Sequence, residues 1–315
     1  MSNETVWSQS TCTEITEYCP VELSVYGYYP ALGANGFFLG FFGLFALINL
    51  GLGIRYRTWS YMVALTAGCV CASIGYVGRI IMNDNPFNDA GFITQICCLI
   101  IAPAFNSAAI YLTLKHMVLC FGEEFSLIKA RFYTYIFISA DLLSLILQGA
   151  GGGIASTADD DDESMQQTGD DLLMAGIAWQ VVALFSFACI AGWYVLRRSK
   201  ALKQHPLSPE AAATIKQRKF RLFAFGVGSA WFAIFVRCIY RIIEMAGGWG
   251  NDIMQDEATF IVFEGCFMVY ATTVQTVFHP GFCFPRLSSS WTPAMSEKNQ
   301  QDVSIESVSR PVENV

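Results

Sequence analysis

The chain has 315 residues, of which 54% are hydrophobic and only 14% charged, with a mean hydropathy of +0.42. A soluble protein of this size carries about a quarter charged residues, so a wholly water-exposed globule is excluded. The net charge of −7 points to no nucleic-acid partner, because the acids gather in a few connections and the tail.

Residues 1–30 read as a polar tail. Asn3-Glu4-Thr5 is an N-glycosylation sequon. Cys12 and Cys19 also lie in the tail, where an oxidising compartment would join them in a local disulfide. No basic run precedes the first apolar segment, so no cleavable signal peptide is read and the first span is expected to act as its own anchor.

Seven apolar segments follow, near residues 33–54, 60–82, 92–115, 131–156, 172–196, 220–245 and 258–280. Each can cross a hydrocarbon core of about 30 Å, which takes roughly 20 apolar residues. The first connection carries Arg55 and Arg57, and the third Lys115, Lys129 and Arg131. The fifth carries Arg197, Arg198, Lys200, Lys203, Lys216, Arg218, Lys219 and Arg221, and the C-terminal segment Arg286, Lys298 and Arg310. The N-terminal tail and the second, fourth and sixth connections carry none. Basic connections stay cytoplasmic. The expected fold is therefore an all-α membrane protein of seven transmembrane helices, with its N-terminus outside and its C-terminus cytoplasmic. Residues 31–286 form the membrane domain, and residues 287–315, rich in Ser, Glu, Gln and Asn, form a disordered cytoplasmic tail.

The fourth connection holds Asp159, Asp160, Asp161, Asp162, Glu163, Asp170 and Asp171. It lacks the glycine and the terminal bidentate Glu of a calcium loop and reads as a solvated loop. In the fifth connection, Ser208-Pro209-Glu210 supplies an N-cap and a first-position proline, which predicts a short helix running into span six. Most other cysteines read as small packing residues. Cys120 and Cys283, just inside the membrane, are placed for palmitoylation.

Only Arg79, Arg237 and Arg241 of the 19 Lys and Arg residues lie within spans. A charge inside a bilayer is costly and faces a partner or a cavity. Arg237, Arg241 and Glu244 are four and three residues apart and share one helical face. Tyr240 is beside them, and span seven carries Glu264 with Glu257 at its lip. By topology these charges and Arg79 occupy the outer half of the membrane, where they either neutralise one another or line a polar pocket. Arg79 and Glu257 lie close enough to the interface to snorkel. Asp141 in span four has no basic residue of the spans at its depth. It is a candidate for protonation, for pairing with a cationic headgroup, or for hydrogen bonding to Ser144. Gln148 lies on its face, and Gln180 is in span five.

Several chemistries are excluded. There is no phosphate-binding glycine loop and no Lys in span seven to carry retinal. The histidines, His116, His205 and His279, lie at or beyond the cytoplasmic ends, which removes an intramembrane zinc site or a Ser-His-Asp triad. No cofactor, metal or catalytic residue is expected.

Six ordered elements carry a resemblance. They are Ile74-Gly75-Tyr76-Val77-Gly78-Arg79; Ala102-Pro103-Ala104-Phe105 with Ala108-Ala109-Ile110-Tyr111; Asp141, Ser144, Gln148 and Gly151-Gly152-Gly153; Gly176 and Gln180; Arg237-Cys238-Ile239-Tyr240-Arg241 with Glu244 and Gly247; and Glu257, Glu264 and His279-Pro280-Gly281. Over roughly residues 28–286 the chain resembles the fungal lipid-translocating exporters, the group named for resistance to aminocholesterol, which includes a sphingoid long-chain-base exporter. It departs from their pattern in Ala72 and Ser73, where an acid is frequent, in Glu264 for Asp, and in Ile261 for Tyr. The resemblance implies a multi-pass protein of the plasma membrane or an internal membrane. Such a protein would move or release amphipathic lipids or confer resistance to toxic ones, with membrane lipids as its partners. A seven-helix receptor is the alternative, followed by an intramembrane lipid-modifying enzyme. Leu114-Lys115-His116 at the end of span three, and a span seven without Asn-Pro-x-x-Tyr, speak against the receptor.

Overall fold

The computed structural model describes residues 12–157, 163–202 and 209–283. The sequon at Asn3, the acids at 159–162, the cap at Ser208 and the segment 287–315 lie outside the described residues.

Seven helices are long and apolar enough to cross a membrane. They are α1 (Leu32–Tyr56), α2 (Trp59–Asp84), α3 (Asp89–Phe121), α4 (Ala130–Thr157), α5 (Glu163–Ala201), α7 (Arg218–Ala246) and α8 (Glu257–Val277). Between the fifth and sixth spans lies α6 (Pro209–Lys216). At 1.5 Å per residue, even the shortest span reaches about 30 Å. The N-terminal tail packs on one face of the bundle, called here the tail face. Asn85 Nδ2 donates to Thr13 O at 2.9 Å and Asn83 Nδ2 to Pro30 O at 2.9 Å.

Three expectations need correction. The acids Asp170 and Asp171 are not in a loop, because α5 extends the fifth span toward the tail face and makes them helical. There Asp170 accepts a 2.6 Å hydrogen bond from Trp249 Nε1. The short helix α6 does start at Pro209 but does not run into the sixth span, because Gln217 adopts extended backbone (ψ 128°) and restarts the chain as the N-cap of α7. Cys283 is 4% exposed and packed with Tyr61, Phe220 and Phe223, so acylation there has no open thiol.

The exterior of the bundle is apolar, with Phe37, Leu47, Leu142, Ile146, Phe185 and Phe225 outward. The interior mixes aromatic side chains, among them Phe38, Phe42, Tyr76, Tyr111, Tyr133 and Phe187, with buried polar groups. Lipid is as apolar as a leucine core, so close backbone approach and interhelical hydrogen bonds associate the spans. Helices α4 and α5 meet at Gly151 and Gly169. A Cβ at Gly151 would lie 2.4 Å from Leu173 N and 2.6 Å from Gly169 O. On the opposite face, Asn49 of α1 donates to Thr276 Oγ1 of α8 at 3.0 Å.

Span seven is not a uniform α-helix. Ile261–Cys266 forms a π-helical run between Glu257–Phe260 and Phe267–Val277. Such a run adds one residue to the turn and changes which side chains face the bundle. Here it contains Glu264.

Candidate functional site

All three intramembrane arginines are paired, each with a different acid. Arg237 of α7 donates to Glu264 of α8 through Nε at 3.0 Å and also through Nη2, which donates to Leu99 O of α3 at 2.7 Å. The pair joins three helices, and each member is 2% exposed. Arg241 donates to Glu244 one turn along its own helix, and Tyr240 Oη donates to the same carboxylate at 3.4 Å. The backbone carbonyl of Glu244 accepts from Asn251 Nδ2 at 2.6 Å. The shared face read from the 237, 241 and 244 spacing is therefore buried, and it divides between two acids.

Arg79 does not snorkel. It is 0% exposed, because the tail folds over it. Its Nη2 donates to Tyr28 Oη at 2.8 Å and lies 3.7 Å from Glu257 Oε1. Its guanidinium carbon is 3.8 Å from the Phe260 ring centroid and 5.0 Å from that of Tyr26. Cation–π contacts of this kind grow stronger when desolvated. Glu257 Oε1 also accepts from Ala31 N at 2.6 Å, tying the start of α1 to the start of α8. Tyr26 Oη accepts from Gln95 Nε2 at 2.6 Å. Burial pushes the Tyr26 hydroxyl up to about 12 against the opposing pull of Arg79, so it stays a neutral phenol. Tyr26, Tyr28 and Gln95 were not singled out from sequence. For the two tyrosines the signal was the Tyr-x-Tyr just ahead of the first span, and for Gln95 a lone amide inside an apolar span. Cys12 and Cys19 are disulfide-bonded in the same tail.

These ion pairs do not line the cavity at the tail face. A cavity of about 620 Å³ lies at the tail face between α3, α4 and α5. Phe92, Ile96 and Ile100 of α3 form one wall, and Leu145, Gly149 and Gly152 of α4 the other, while Val25 and Trp249 cover it from the tail-face loops. Of the candidate lipid-binding residues read from sequence, only Gln148 lines this cavity, and Cys12 of the tail disulfide borders it as well.

Behind Gln148 runs a buried polar row. Gln148 Nε2 donates to Ser144 Oγ at 2.7 Å and to Gln180 Oε1 of α5 at 3.5 Å. Ser144 thus serves Gln148, not Asp141. One turn further along α4, Asp141 is 3% exposed, and neither carboxylate oxygen has a hydrogen-bond partner of good geometry. Its neighbour is Tyr111 of α3, whose hydroxyl interacts with both Asp141 and Ser107.

Comparison with known proteins adds to this geometry. Residues 65–287 match the family described as RTA1 like protein. The sphingoid long-chain base transporter RSB1 of Saccharomyces cerevisiae (strain ATCC 204508 / S288c) is 28% identical over 289 residues, covering 84% of this chain and 75% of the transporter. Protein RTM1 of Saccharomyces cerevisiae is 27% identical over 264 residues, 80% of this chain and 79% of that protein. Protoporphyrin uptake protein 1 of the same S288c strain is 29% identical over 211 residues, 62% of this chain and 61% of that protein. No solved structure matches the chain.

Proposed function

Because this chain belongs to the RTA1-like family, we propose that it moves or releases amphipathic lipids, sphingoid long-chain bases or related toxic lipids among them, and confers resistance to them. The observation that carries this reading is the cavity between α3, α4 and α5. Its walls include isoleucine, leucine, phenylalanine and glycine, suited to a hydrocarbon chain, while Asn88, Asp89 and Gln166 add polar groups and Gln148 marks where the buried polar row begins. Ligand sites of this kind pair an apolar cleft with a few polar groups.

The name of one relative, the sphingoid long-chain base transporter, supports the lipid class. The distribution of Lys and Arg supports a tail face directed outside and basic connections directed to the cytoplasm. In this reading the protein is no enzyme and works at the plasma membrane or an internal one. The ion pairs Arg79–Glu257, Arg237–Glu264 and Arg241–Glu244 hold the frame against which lipid moves.

The test is reconstitution. Purified full-length protein in sealed vesicles should speed transbilayer exchange of a headgroup-labelled sphingoid base above protein-free vesicles. Growth on sphingoid bases, aminosterols and azoles, with and without the gene, ranks the compounds. Exchange no faster than in protein-free vesicles overturns the reading.

A further inference from the structure

We propose that Asp141, Tyr111 and Ser107 form a binding site for the primary ammonium group of a single-chain amphiphile, reached from the tail-face cavity past Gln148 and Gln180. This deepens the lipid-moving reading and rests on it.

Unpartnered polar atoms are uncommon in a folded interior. Four that make no hydrogen bond of good geometry meet here, although the Tyr111 hydroxyl interacts with both of its neighbours: both Asp141 carboxylate oxygens, Tyr111 Oη and Ser107 Oγ. The three residues are 3%, 0% and 1% exposed. Gln180 Nε2, beside Gln148, is unpartnered as well. A carboxylate buried without a counter-charge costs several kcal/mol, and no Lys, Arg or His forms an ion pair with Asp141 among the described residues. The ionisable groups facing it are Tyr111 from α3 and Cys238 from α7. Arg237, next to Cys238, is committed to Glu264 and to Leu99 O. Among the described residues, the fold supplies no cation to this site.

A primary ammonium supplies what is missing. It carries one positive charge and three donors, and the site offers two carboxylate oxygens and two hydroxyl oxygens as acceptors. A hydroxyl on the carbon next to the amine would meet Tyr111 or Ser107. A trimethylated head has no N–H donor and a larger volume, and a neutral alcohol leaves the carboxylate uncompensated, so both are disfavoured. The cavity ends at Gln148, and a head going further would part the Gln148 hydrogen bonds to Ser144 and Gln180 along a route that helical spacing aligns. Asp141, Ser144 and Gln148 are three and four residues apart on one face of α4, so the carboxylate lies about 10 Å along the axis from the Gln148 position at the cavity wall. The chain would remain in the cavity while the head follows the polar row.

Full-length protein in neutral phosphatidylcholine nanodiscs tests this with radiolabelled stearylamine, subtracting empty nanodiscs and competing with stearyl alcohol. Wild type should bind the amine saturably and prefer it over the alcohol by about ten-fold or more. Asp141→Asn, which keeps shape and polarity, should abolish that preference. Should Asp141→Asn bind stearylamine within about two-fold of wild type, the site is wrong. If that variant elutes as aggregate, Tyr111→Phe and Ser107→Ala decide. Each should weaken amine binding several-fold, and wild-type affinity in both overturns the proposal. Saturable, Asp141-dependent amine binding without lipid exchange in vesicles would leave the site standing and remove the lipid-moving reading. Exchange of a neutral labelled lipid without saturable amine binding would do the reverse.

Discussion

Arg237 and Glu264 form an ion pair across the α7–α8 interface, and the same guanidinium reaches the Leu99 carbonyl of α3. Three helices thus converge on one buried charge, and the acid sits in the π-helical run of α8. The acid of the pair lies within the run, and a π-helical turn shifts the register of the side chains around it.

Removing one partner leaves the other charged and buried. Arg237→Ala or Glu264→Ala should lower stability by about 3–5 kcal/mol, seen as a large drop in thermal midpoint in detergent. Arg237→Met combined with Glu264→Leu should recover most of that loss. A double variant as unstable as the sum of the single ones contradicts the pairing.

The tail is held down at Arg79. Tyr28→Phe deletes the 2.8 Å hydrogen bond to Nη2, a bond to a charged group worth about 2 kcal/mol. Hydrogen exchange should then accelerate in residues 12–31 and stay unchanged in the cores of α4 and α5. Equal protection in both proteins would show that the tail is fixed by other contacts.

Two glycines of α4 should respond oppositely to added bulk. At Gly151 a Cβ would run into the backbone of α5, so Gly151→Leu should prevent assembly and be seen as loss of the monodisperse peak. At Gly149, which lines the cavity, a Cβ meets nothing within 4 Å. Gly149→Phe should therefore fold, fill part of the cavity and slow lipid exchange several-fold. Normal exchange by a folded Gly149→Phe protein would place the lipid path elsewhere.

Orientation is tested from the tail. If the tail face is outside, Asn3 can carry a glycan removable by endoglycosidase, and protease added to sealed microsomes should leave the tail intact. Tail cleavage from the cytosolic side reverses the assignment.

The individual spans and their charged faces were legible in the sequence because both are properties of one helix at a time. Twenty apolar residues cross a bilayer whatever surrounds them, and residues at 237, 241 and 244 share a face whatever they face. Family membership was legible for a similar reason, since six motifs in order survive without any knowledge of how the helices pack. Which residues meet was a different matter. Arg241 selects Glu244 on its own helix, while Arg237 takes Glu264. Arg79 selects a tyrosine 51 residues away in the tail instead of reaching for the interface. The cavity belongs to no single segment, since it exists only where α3, α4 and α5 come together under the tail-face loops. Sequence alone determined seven apolar helices, the positions of their charges and the family. Tertiary structure decided the ion pairing, the covered arginine and the open space, because these depend on the order and rotation of packed helices, which helical periodicity does not encode.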